Sequence, residues 1–341
     1  MTNHEWFKKA GYGMMVHFGL YSLLAGEYKG KRVKSYAEWA QSSFAIPNAE
    51  YEQLAHVFNP IYFHADEWIS LAKRAGMEYF VITSKHHEGF ALFDSAVDAF
   101  NMKQATPFGR DIIAELAEAC YKYGIKFGLY YSQELDWHHP HGGGYNHTTD
   151  CAGVGWYNCW DFPGKEGKDF SICFEEKIKP QVKEILTKYG DLCLIWFDTP
   201  GVITKEQSLE LHSMIKEYQP NCLINSRIGN GAYDYVSLND NEIPAALPEK
   251  MPEADEGDMN SLGGFKYSPY GLYESAGTLN SSWGYKYYDQ NWRKPEEIAA
   301  NRKHLNDMGI NYLLNVGPDG LGRIPSFSEE ILLKAAEIYG K

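Results

Sequence analysis

The chain has 341 residues, enough for one large domain or two ordinary ones, and its 44% apolar and 23% charged residues are typical of a globular protein. Its formal net charge of −13 argues against nucleic acid or an anionic membrane as a partner, because both bind surfaces rich in Lys and Arg. Aromatic residues make up 15% of the chain, a fraction that serves core packing and also suits stacking on sugar rings. Composition therefore favours a neutral ligand.

The six cysteines form no Cys-x-x-Cys pair, and several lie in apolar runs. This pattern is typical of reduced, buried thiols rather than of a disulfide framework. The amino-terminal segment lacks the continuous apolar stretch of a signal peptide, and no apolar run approaches the roughly 18 residues of a membrane span. We therefore expect a cytoplasmic protein without membrane attachment.

Short apolar runs alternate with helical patterns along the chain. Helices are predicted at 64–76, 110–124, 174–190 and 204–220, each followed by a Gly or Pro break and then a strand. Such alternation predicts parallel strands joined by right-handed crossovers. With eight strands, the sequence predicts an α/β fold, a (β/α)8 barrel that occupies residues 1–341 as one catalytic domain. The predicted strands are 13–22, 78–87, 126–133, 192–198, 222–227, 234–240, 273–280 and 310–317.

Polar side chains stand where the predicted strands end, and long loops follow three of these ends, at 23–60, 134–172 and 241–272. The carboxyl ends of barrel strands are where barrel enzymes keep their active sites. One polar residue at a strand end is usually a helix cap or a loop start, but a convergent set favours a site. The set is His17, His86, His87, Tyr131, Asp198, Arg227, Asp240 and Asn315.

Two carboxylates among neutral hydrogen-bonding groups suit glycoside hydrolysis, in which one carboxylate attacks the anomeric carbon and another group protonates the leaving oxygen. Asp198 is the candidate nucleophile, since Trp196 beside it excludes water and Arg227 at the next strand end provides a positive charge. The acid is Asp240 or Glu242. These two are predicted to share one face of an extended segment, so the residues alone leave the choice open.

The adjacent histidines His86 and His87 also raise the alternative of a metal site. On a strand their side chains would point in opposite directions, and no His-x-His or carboxylate spacing completes a zinc site. Hydrogen bonding to sugar hydroxyls is the preferred interpretation. We expect no metal and no other cofactor.

Several motifs together resemble the α-L-fucosidases of glycoside hydrolase family 29, in order and spacing, over nearly the whole chain. The chain is most similar to the short, cytosolic lactobacillus-type members, which lack a carboxyl-terminal β-sandwich. The motifs are VHFGLYS, EWA, TSKHHEGF, RDIIAELAEACYKYGIKFGLYYS, WFD, INSRIGNG, DNEIP and LLNVGPDGLGRIP.

The resemblance implies a retaining, exo-acting enzyme that removes terminal α-L-fucose through a covalent fucosyl-enzyme intermediate, with transfer to an acceptor sugar as a second outcome. It implies that Asp198 is the nucleophile and Asp240 the acid/base, with Glu242 as the second choice. It also implies an arginine near the nucleophile, Arg227, and an aromatic wall for the C5 methyl group, Trp283 or Tyr285. The residues implied to contact fucose are His17, Glu38, Trp39, His86, His87, Tyr131 and Trp196.

Three other functions are open at this point. They are a retaining glycosidase of another specificity such as an α-L-galactosidase, a sugar-binding barrel without activity, and a metal-dependent amidohydrolase. The resemblance further implies a fucosylated oligosaccharide as substrate, with α-1,6-linked fucosyl-N-acetylglucosamine as the expected linkage. A homo-oligomer is expected, because a neighbouring subunit would help to close the loops of a bare barrel.

Overall fold

The structure is a computed structural model that describes residues 2–149, 155–156, 158–162, 164–247 and 267–340. Eight parallel strands form its main sheet, as the sequence predicts for a (β/α)8 barrel. In chain order they are β1 (Tyr12–Val16), β2 (Tyr79–Lys85), β3 (Lys126–Ser132), β4 (Leu194–Asp198), β5 (Leu223–Ile224), β6 (Val236–Ser237), β7 (Tyr273–Thr278) and β8 (Ile310–Val316).

The sheet curls from β6 through β7, β8, β1, β2, β3 and β4 to β5. Its two edges meet at one parallel bridge between Asn225 and Tyr235, beside a hydrogen bond of 2.8 Å from Asp234 N to Ile224 O. The barrel is therefore closed, but the seam between β5 and β6 is much shorter than the other strand pairings.

Helices follow the strands around the outside of the barrel. Those predicted at 64–76, 110–124, 174–190 and 204–220 correspond to α2 (Ala65–Arg74), α3 (Ile112–Tyr123), α4 (Lys179–Lys188) and α5 (Lys205–Tyr218). Helix α4 continues from a helical turn Phe170–Cys173 and a π-helical turn Phe174–Ile178. Asp111 caps α3 by accepting a hydrogen bond from Ala114 N. The longer helices of the described chain are α1 (Asn3–Ala10), α2 (Ala65–Arg74), α3 (Ile112–Tyr123), α4 (Lys179–Lys188), α5 (Lys205–Tyr218), α6 (Pro295–Asp307) and α7 (Ser326–Tyr339).

Strand β5 is shorter than the predicted 222–227 because a side chain takes over its pairing with β4. Asn225 Oδ1 accepts a hydrogen bond from Phe197 N at 2.8 Å, and Asn225 Nδ2 donates to Phe197 O at 2.9 Å. The backbone is then free to turn at Ser226–Ile228. This turn carries Arg227 into the barrel mouth.

The long segment between β1 and α2 covers the carboxyl end of the barrel, as predicted for 23–60. It contains a hairpin of Glu27–Tyr28 with Lys31–Arg32. Its short helices are Tyr21–Leu24, Ala37–Trp39, Ala40–Phe44, Asn48–Tyr51 and Glu52–Val57. A second hairpin pairs Asn146–Thr149 with Gly155–Trp156. The predicted loop 241–272 lies partly outside the described residues, as does the loop 134–172. Within the described part of the chain, no helix is both long and apolar enough to cross a membrane.

The barrel interior below the mouth is largely aromatic, and it surrounds one carboxyl group. Glu274 accepts hydrogen bonds from the Tyr79 hydroxyl at 2.7 Å and from Trp196 Nε1 at 2.9 Å. Burial raises the pKa of Glu274 to about 7, although both donors act to lower it. Phe7 of α1 closes the amino end by packing on Tyr79 and Tyr235. The indole of Trp196 is thus held in place by its hydrogen bond to Glu274, which Tyr79 also binds.

Candidate active site

A cavity with about 460 Å³ of empty space opens at the carboxyl ends of the strands, where the sequence places its site. Ten of the predicted residues line it, and four residues that were not predicted line it as well. The predicted ones are His17, Glu38, Trp39, His86, His87, Trp196, Asp198, Arg227, Asp240 and Trp283, and the additional ones are Met15, Tyr36, Tyr130 and Thr199.

Asp198 is the last residue of β4, and three donors hold its carboxylate. Oδ1 accepts hydrogen bonds from Thr199 N at 3.0 Å and from Arg227 Nη1 at 3.1 Å, while Oδ2 accepts one from the Tyr130 hydroxyl at 2.7 Å. Thr199 has φ of +54°, which is uncommon for a β-branched residue. The carboxylate is therefore fixed by its own strand, by the neighbouring strand β3 and by the turn after β5.

Arg227 joins the two candidate catalytic carboxylates. Its Nη1 lies 3.1 Å from Asp198 Oδ1 and its Nη2 lies 2.5 Å from Asp240 Oδ1, while its guanidinium stacks 4.5 Å above the ring of Trp196. Burial alone would lower the pKa of Arg227, but Asp240 and Asp198 raise it above its ordinary value. The side chain of Arg227 is therefore permanently charged and lies between the two carboxylates. Arg227 is only 4% exposed to solvent.

The three histidines form one layer, which corrects the expectation that His86 and His87 point in opposite directions. Strand β2 ends at Lys85 and the chain then turns, with Gly89 N donating to His86 O at 3.0 Å, so strand alternation no longer applies. The rings of His86 and His87 lie 3.9 Å apart and both line the cavity. Burial lowers the pKa of His17 to about 4 and the pKa of both other rings well below 6.5. The layer is uncharged at neutral pH.

Glu38 reaches the cavity from the 3₁₀ turn Ala37–Trp39 of the loop after β1. Its Oε2 accepts hydrogen bonds from Gly284 N at 2.7 Å and from Ser282 Oγ at 3.4 Å, whereas its Oε1 has no partner among the described residues. Burial raises the pKa of Glu38 to about 7. Trp39 lies edge-on to His87, so this loop adds both an acceptor and an apolar wall.

Tyr131 does not reach the cavity, contrary to the sequence-based expectation. Its hydroxyl donates to Gln181 Oε1 on α4 at 2.8 Å, and Lys85 lies over its ring. Its neighbour Tyr130 points inward instead and bonds Asp198. Both faces of β3 are buried, so alternation along the strand could not tell which of two adjacent tyrosines faces the site.

Glu242 and Tyr285 also lie outside the cavity. Asp240 and Glu242 do not share a face, because Asn241 between them has φ of +60° and the chain turns there. Glu242 Oε2 instead accepts a hydrogen bond from Asn239 N at 3.1 Å. Tyr285 lines a separate surface groove with Asp319, so Trp283 is the aromatic that reaches the cavity.

Among the residues that sequence reasoning missed, Tyr130 had the strongest signal, because it adjoins the predicted Tyr131 on β3. Tyr36 lies two residues before Glu38, near a motif that was recognised, and Met15 lies two residues before His17 on β1. Thr199 had no signal of its own. Its place in the wall follows from the left-handed turn after Asp198.

The model of the family described as "Alpha-L-fucosidase" matches residues 1–338 of the chain. The chain belongs to the alpha-L-fucosidase family. Tissue alpha-L-fucosidase of Rattus norvegicus is 27% identical over 353 residues that cover 96% of this chain, and the chain spans 66% of that protein's length.

Solved fucosidase structures resemble the chain more closely. Alpha-L-fucosidase AlfC from Lactobacillus casei, in complex with α-L-fucose product, is 56% identical with a TM-score of 0.91, over 99% of this chain and 98% of that one. Alpha-L-fucosidase from Vibrio sp. strain EJY3 is 32% identical with a TM-score of 0.84, over 99% of this chain and 55% of that one. The fucosidase barrel is thus shared along nearly all of the chain.

Proposed function

We propose that the protein hydrolyses terminal α-L-fucosides with retention of configuration, using Asp198 as the nucleophile and Asp240 as the acid/base. The observation that carries this proposal is the pair of carboxylates after β4 and β6, joined by the buried Arg227 in the cavity. Two carboxyl groups on one glycosidic bond are what double displacement needs.

In the first step Asp198 attacks the anomeric carbon while the bond to the leaving oxygen breaks, and Asp240 gives its proton to that oxygen. Arg227 and the Tyr130 hydroxyl hold the attacking carboxylate in place. Asp240 is bonded to Arg227 without a substrate, so it must leave the guanidinium and carry a proton before it can act. Its side chain is 22% exposed at the rim, where such a movement meets little packing.

In the second step Asp240, now a carboxylate, takes a proton from water while the water oxygen attacks the anomeric carbon and Asp198 leaves. Two inversions give the α-anomer of fucose. Arg227 lies against both carboxylates, so a positive charge is close to whichever of the two is ionised in each step.

The walls of the cavity suit a neutral 6-deoxy sugar. Uncharged histidines and the free Oε1 of Glu38 can bond hydroxyls, and no lysine of the described residues lines the cavity to attract an acidic sugar. Trp283 packs 5.1 Å from His17 and provides the apolar surface that we assign to the C5 methyl group. An apolar wall of this kind discriminates against an added hydroxyl by about 1–3 kcal/mol.

Fucosyl transfer to an acceptor sugar is the second proposed outcome, because a hydroxyl can replace water in the second step. Two variants of AlfC are described as fucosyltransferase mutants, and another was solved in complex with Fucα(1,6)GlcNAc. Since the present chain is 55% identical to the latter, we propose α-1,6-linked fucosyl-N-acetylglucosamine as a substrate. Cytoplasmic location and a homo-oligomeric state stay predictions, and light scattering would measure the latter.

The test is hydrolysis of 4-nitrophenyl α-L-fucopyranoside by the wild-type protein, followed by NMR to identify the first anomer released. We expect rapid cleavage with the α-anomer formed first, and slower cleavage of 4-nitrophenyl α-L-galactopyranoside. A β-anomer formed first would refute retention. An untouched fucoside, or a faster galactoside, would refute the assigned substrate.

A further inference from the structure

His17 has one ring nitrogen engaged by a group that can only accept. Its Nδ1 lies 2.7 Å from Oδ1 of Asn315 on β8. The amide orientation of Asn315 is fixed, because Nδ2 donates to the carbonyl oxygen of Trp283 at 2.8 Å and a carbonyl oxygen cannot donate. Nδ1 of His17 must therefore carry the hydrogen of this contact.

His87 is held in the same state by a serine. Its Nδ1 lies 2.7 Å from Ser132 Oγ, and the hydroxyl of Ser132 donates to Leu135 O at 2.7 Å. Since the single hydroxyl hydrogen of Ser132 is used by that carbonyl, Ser132 Oγ can only accept from the ring. Nδ1 of His87 is therefore the protonated nitrogen.

Both rings are neutral at physiological pH, since burial lowers the pKa of each. A neutral imidazole with hydrogen on Nδ1 has a lone pair on Nε2. Nε2 of His87 lies 3.9 Å from Asp198 Oδ2, so this nitrogen is on the side of the cavity. No ion pair joins them, because neither atom carries a hydrogen. Two ring nitrogens thus remain that can only accept a hydrogen bond from a ligand.

We propose that Asn315 and Ser132 are positioning residues that lock His17 and His87 as hydrogen-bond acceptors, so that the site requires two ligand hydroxyls to donate. This inference rests on the proposed fucoside hydrolysis and adds the direction in which sugar hydroxyls are recognised. His86 is the contrast. Its Nδ1 has no partner in the described part of the chain, so nothing there fixes its tautomer.

The lock discriminates between ligands of the same shape. A hydroxyl facing His17 or His87 satisfies the lone pair of Nε2, whereas a fluorine or an ether oxygen at the same place presents a second acceptor. A site that leaves a buried acceptor unpaired rejects the analogue strongly. Replacing a hydroxyl by fluorine is therefore expected to be as harmful as removing it.

The first test uses the wild-type protein with methyl α-L-fucopyranoside and its 2-, 3- and 4-deoxy and deoxyfluoro analogues as competitive inhibitors of 4-nitrophenyl α-L-fucopyranoside hydrolysis. At two or more of the three positions, the deoxy and deoxyfluoro analogues are each expected to bind about tenfold more weakly than the parent and equally to one another. Better binding of the deoxyfluoro analogue at two or more positions would overturn the proposal, since fluorine gains only from a donor. Failure to cleave the nitrophenyl fucoside at all would refute the proposed function instead.

The second test removes one lock with Ser132→Ala, with the buried, hydrogen-bonded Ser268→Ala as its matched control. Freed from Ser132, His87 can place its hydrogen on Nε2, so one deoxyfluoro analogue is expected to bind the variant several-fold better than the corresponding deoxy analogue. Ser132→Thr keeps the hydroxyl and should restore equality. An unchanged ratio in Ser132→Ala would overturn the role of Ser132, because a purely structural loss lowers affinity for both analogues alike.

The third test replaces the amide by a charge. Asp at position 315 would lie against Nδ1 of His17 and favour the imidazolium, whose Nε2 donates. The charged or titratable groups that already face His17 are His86, Tyr130, Asp198 and Asp240, and those that face His87 are His17, Lys85, His86, Asp136 and Asp198.

For Asn315→Asp we expect kcat/KM to fall at least tenfold at pH 6 and to recover as the pH rises, because His17 loses its proton above its raised pKa. Asn311→Asp is the control, since Asn311 is a buried amide at the opposite end of the same strand. A loss that is independent of pH, or equal pH profiles for the two variants, would overturn the role of Asn315.

Discussion

Strand β8 carries an asparagine near each end of the barrel, and the two amides have different uses. At the amino end, Asn311 Oδ1 accepts a hydrogen bond from Gly11 N at 2.8 Å, and Nδ2 donates to Phe7 O at 2.9 Å. At the carboxyl end, Asn315 binds Trp283 O and orients His17, whose other nitrogen is left for a ligand.

The difference shows how one barrel separates stability from chemistry. The amide of Asn311 at the amino end connects α1 to the sheet, and both of its hydrogen bonds are made to the protein backbone. The amide of Asn315 at the carboxyl end instead orients the ring of His17, whose Nε2 is left for a ligand. Substitutions at the two ends should therefore separate loss of stability from loss of activity.

The largest expected effect is that of Asp198→Asn at the carboxyl end. We expect kcat to fall by at least about a thousandfold with a melting temperature near that of the wild type, because an amide cannot attack the anomeric carbon. Asn311→Ala at the amino end should do the reverse, with a lower melting temperature and an unchanged kcat of the folded protein. Near-normal turnover by Asp198→Asn would disprove its role. In Asp198→Ala, azide should attack the anomeric carbon in place of the missing carboxylate and yield the β-fucosyl azide.

Asp240→Asn should lower kcat/KM for an oligosaccharide about a hundredfold, and less for the nitrophenyl fucoside, whose leaving group needs little protonation. Azide should then accelerate this variant and give the α-fucosyl azide, because an anion attacks the intermediate without a general base. Glu242→Gln is the control, since Glu242 lies outside the cavity, and it should behave as the wild type. Azide rescue of Glu242→Gln instead would show that the acid has been assigned to the wrong residue.

The paired tyrosines of β3 allow a smaller test. Tyr130→Phe removes a hydrogen bond to the charged Asp198 and should cost about 1.5–3 kcal/mol in kcat/KM, measured on the nitrophenyl fucoside. Tyr131→Phe removes the same atom from the outward-facing neighbour and should leave kcat/KM unchanged. Equal losses in the two variants would mean that the inward and outward faces of β3 do not differ in function.

The smallest effect on activity concerns Glu134, a buried carboxyl beside the mouth that accepts no hydrogen bond from any described side chain. Burial raises the pKa of Glu134 to about 8, above its ordinary 4.5. Its favourable contribution is therefore complete below pH 4.5 and is lost as the pH rises through 8. In thermal unfolding, Glu134→Gln should be more stable than the wild type at pH 8, by up to about 4 kcal/mol, and similar to it at pH 4.5. The exposed Glu296→Gln should show no such pH dependence.

The sequence was sufficient to predict the barrel, because apolar runs, helical periodicity and Gly or Pro breaks recur in a regular order. It was also sufficient for Asp198, Arg227 and the histidines, since each follows a recognisable strand and the carboxyl ends of parallel strands converge. The fold therefore provides most of the site before any side chain is placed.

The failures have local causes that strand periodicity does not report. Tyr131 was predicted and Tyr130 was missed because both faces of β3 are buried, so alternation does not separate the two. Glu242 was kept beside Asp240 because nothing in the sequence shows that Asn241 adopts φ of +60°. Glu38 comes from an irregular loop, so only its resemblance to a family motif pointed to it.

The seam between β5 and β6 has a consequence for the motions of the molecule. Arg227 and Asp240 lie on opposite sides of it, after β5 and β6, and among the described residues one backbone bridge joins these edges. The free energy of local opening is lowest where the fewest backbone amides are paired. Among the strands of the barrel, amide hydrogen exchange should therefore be fastest in β5 and β6. The ion pair between Arg227 and Asp240 spans this seam, and its separation in the proposed mechanism would loosen the barrel where its backbone pairing is weakest.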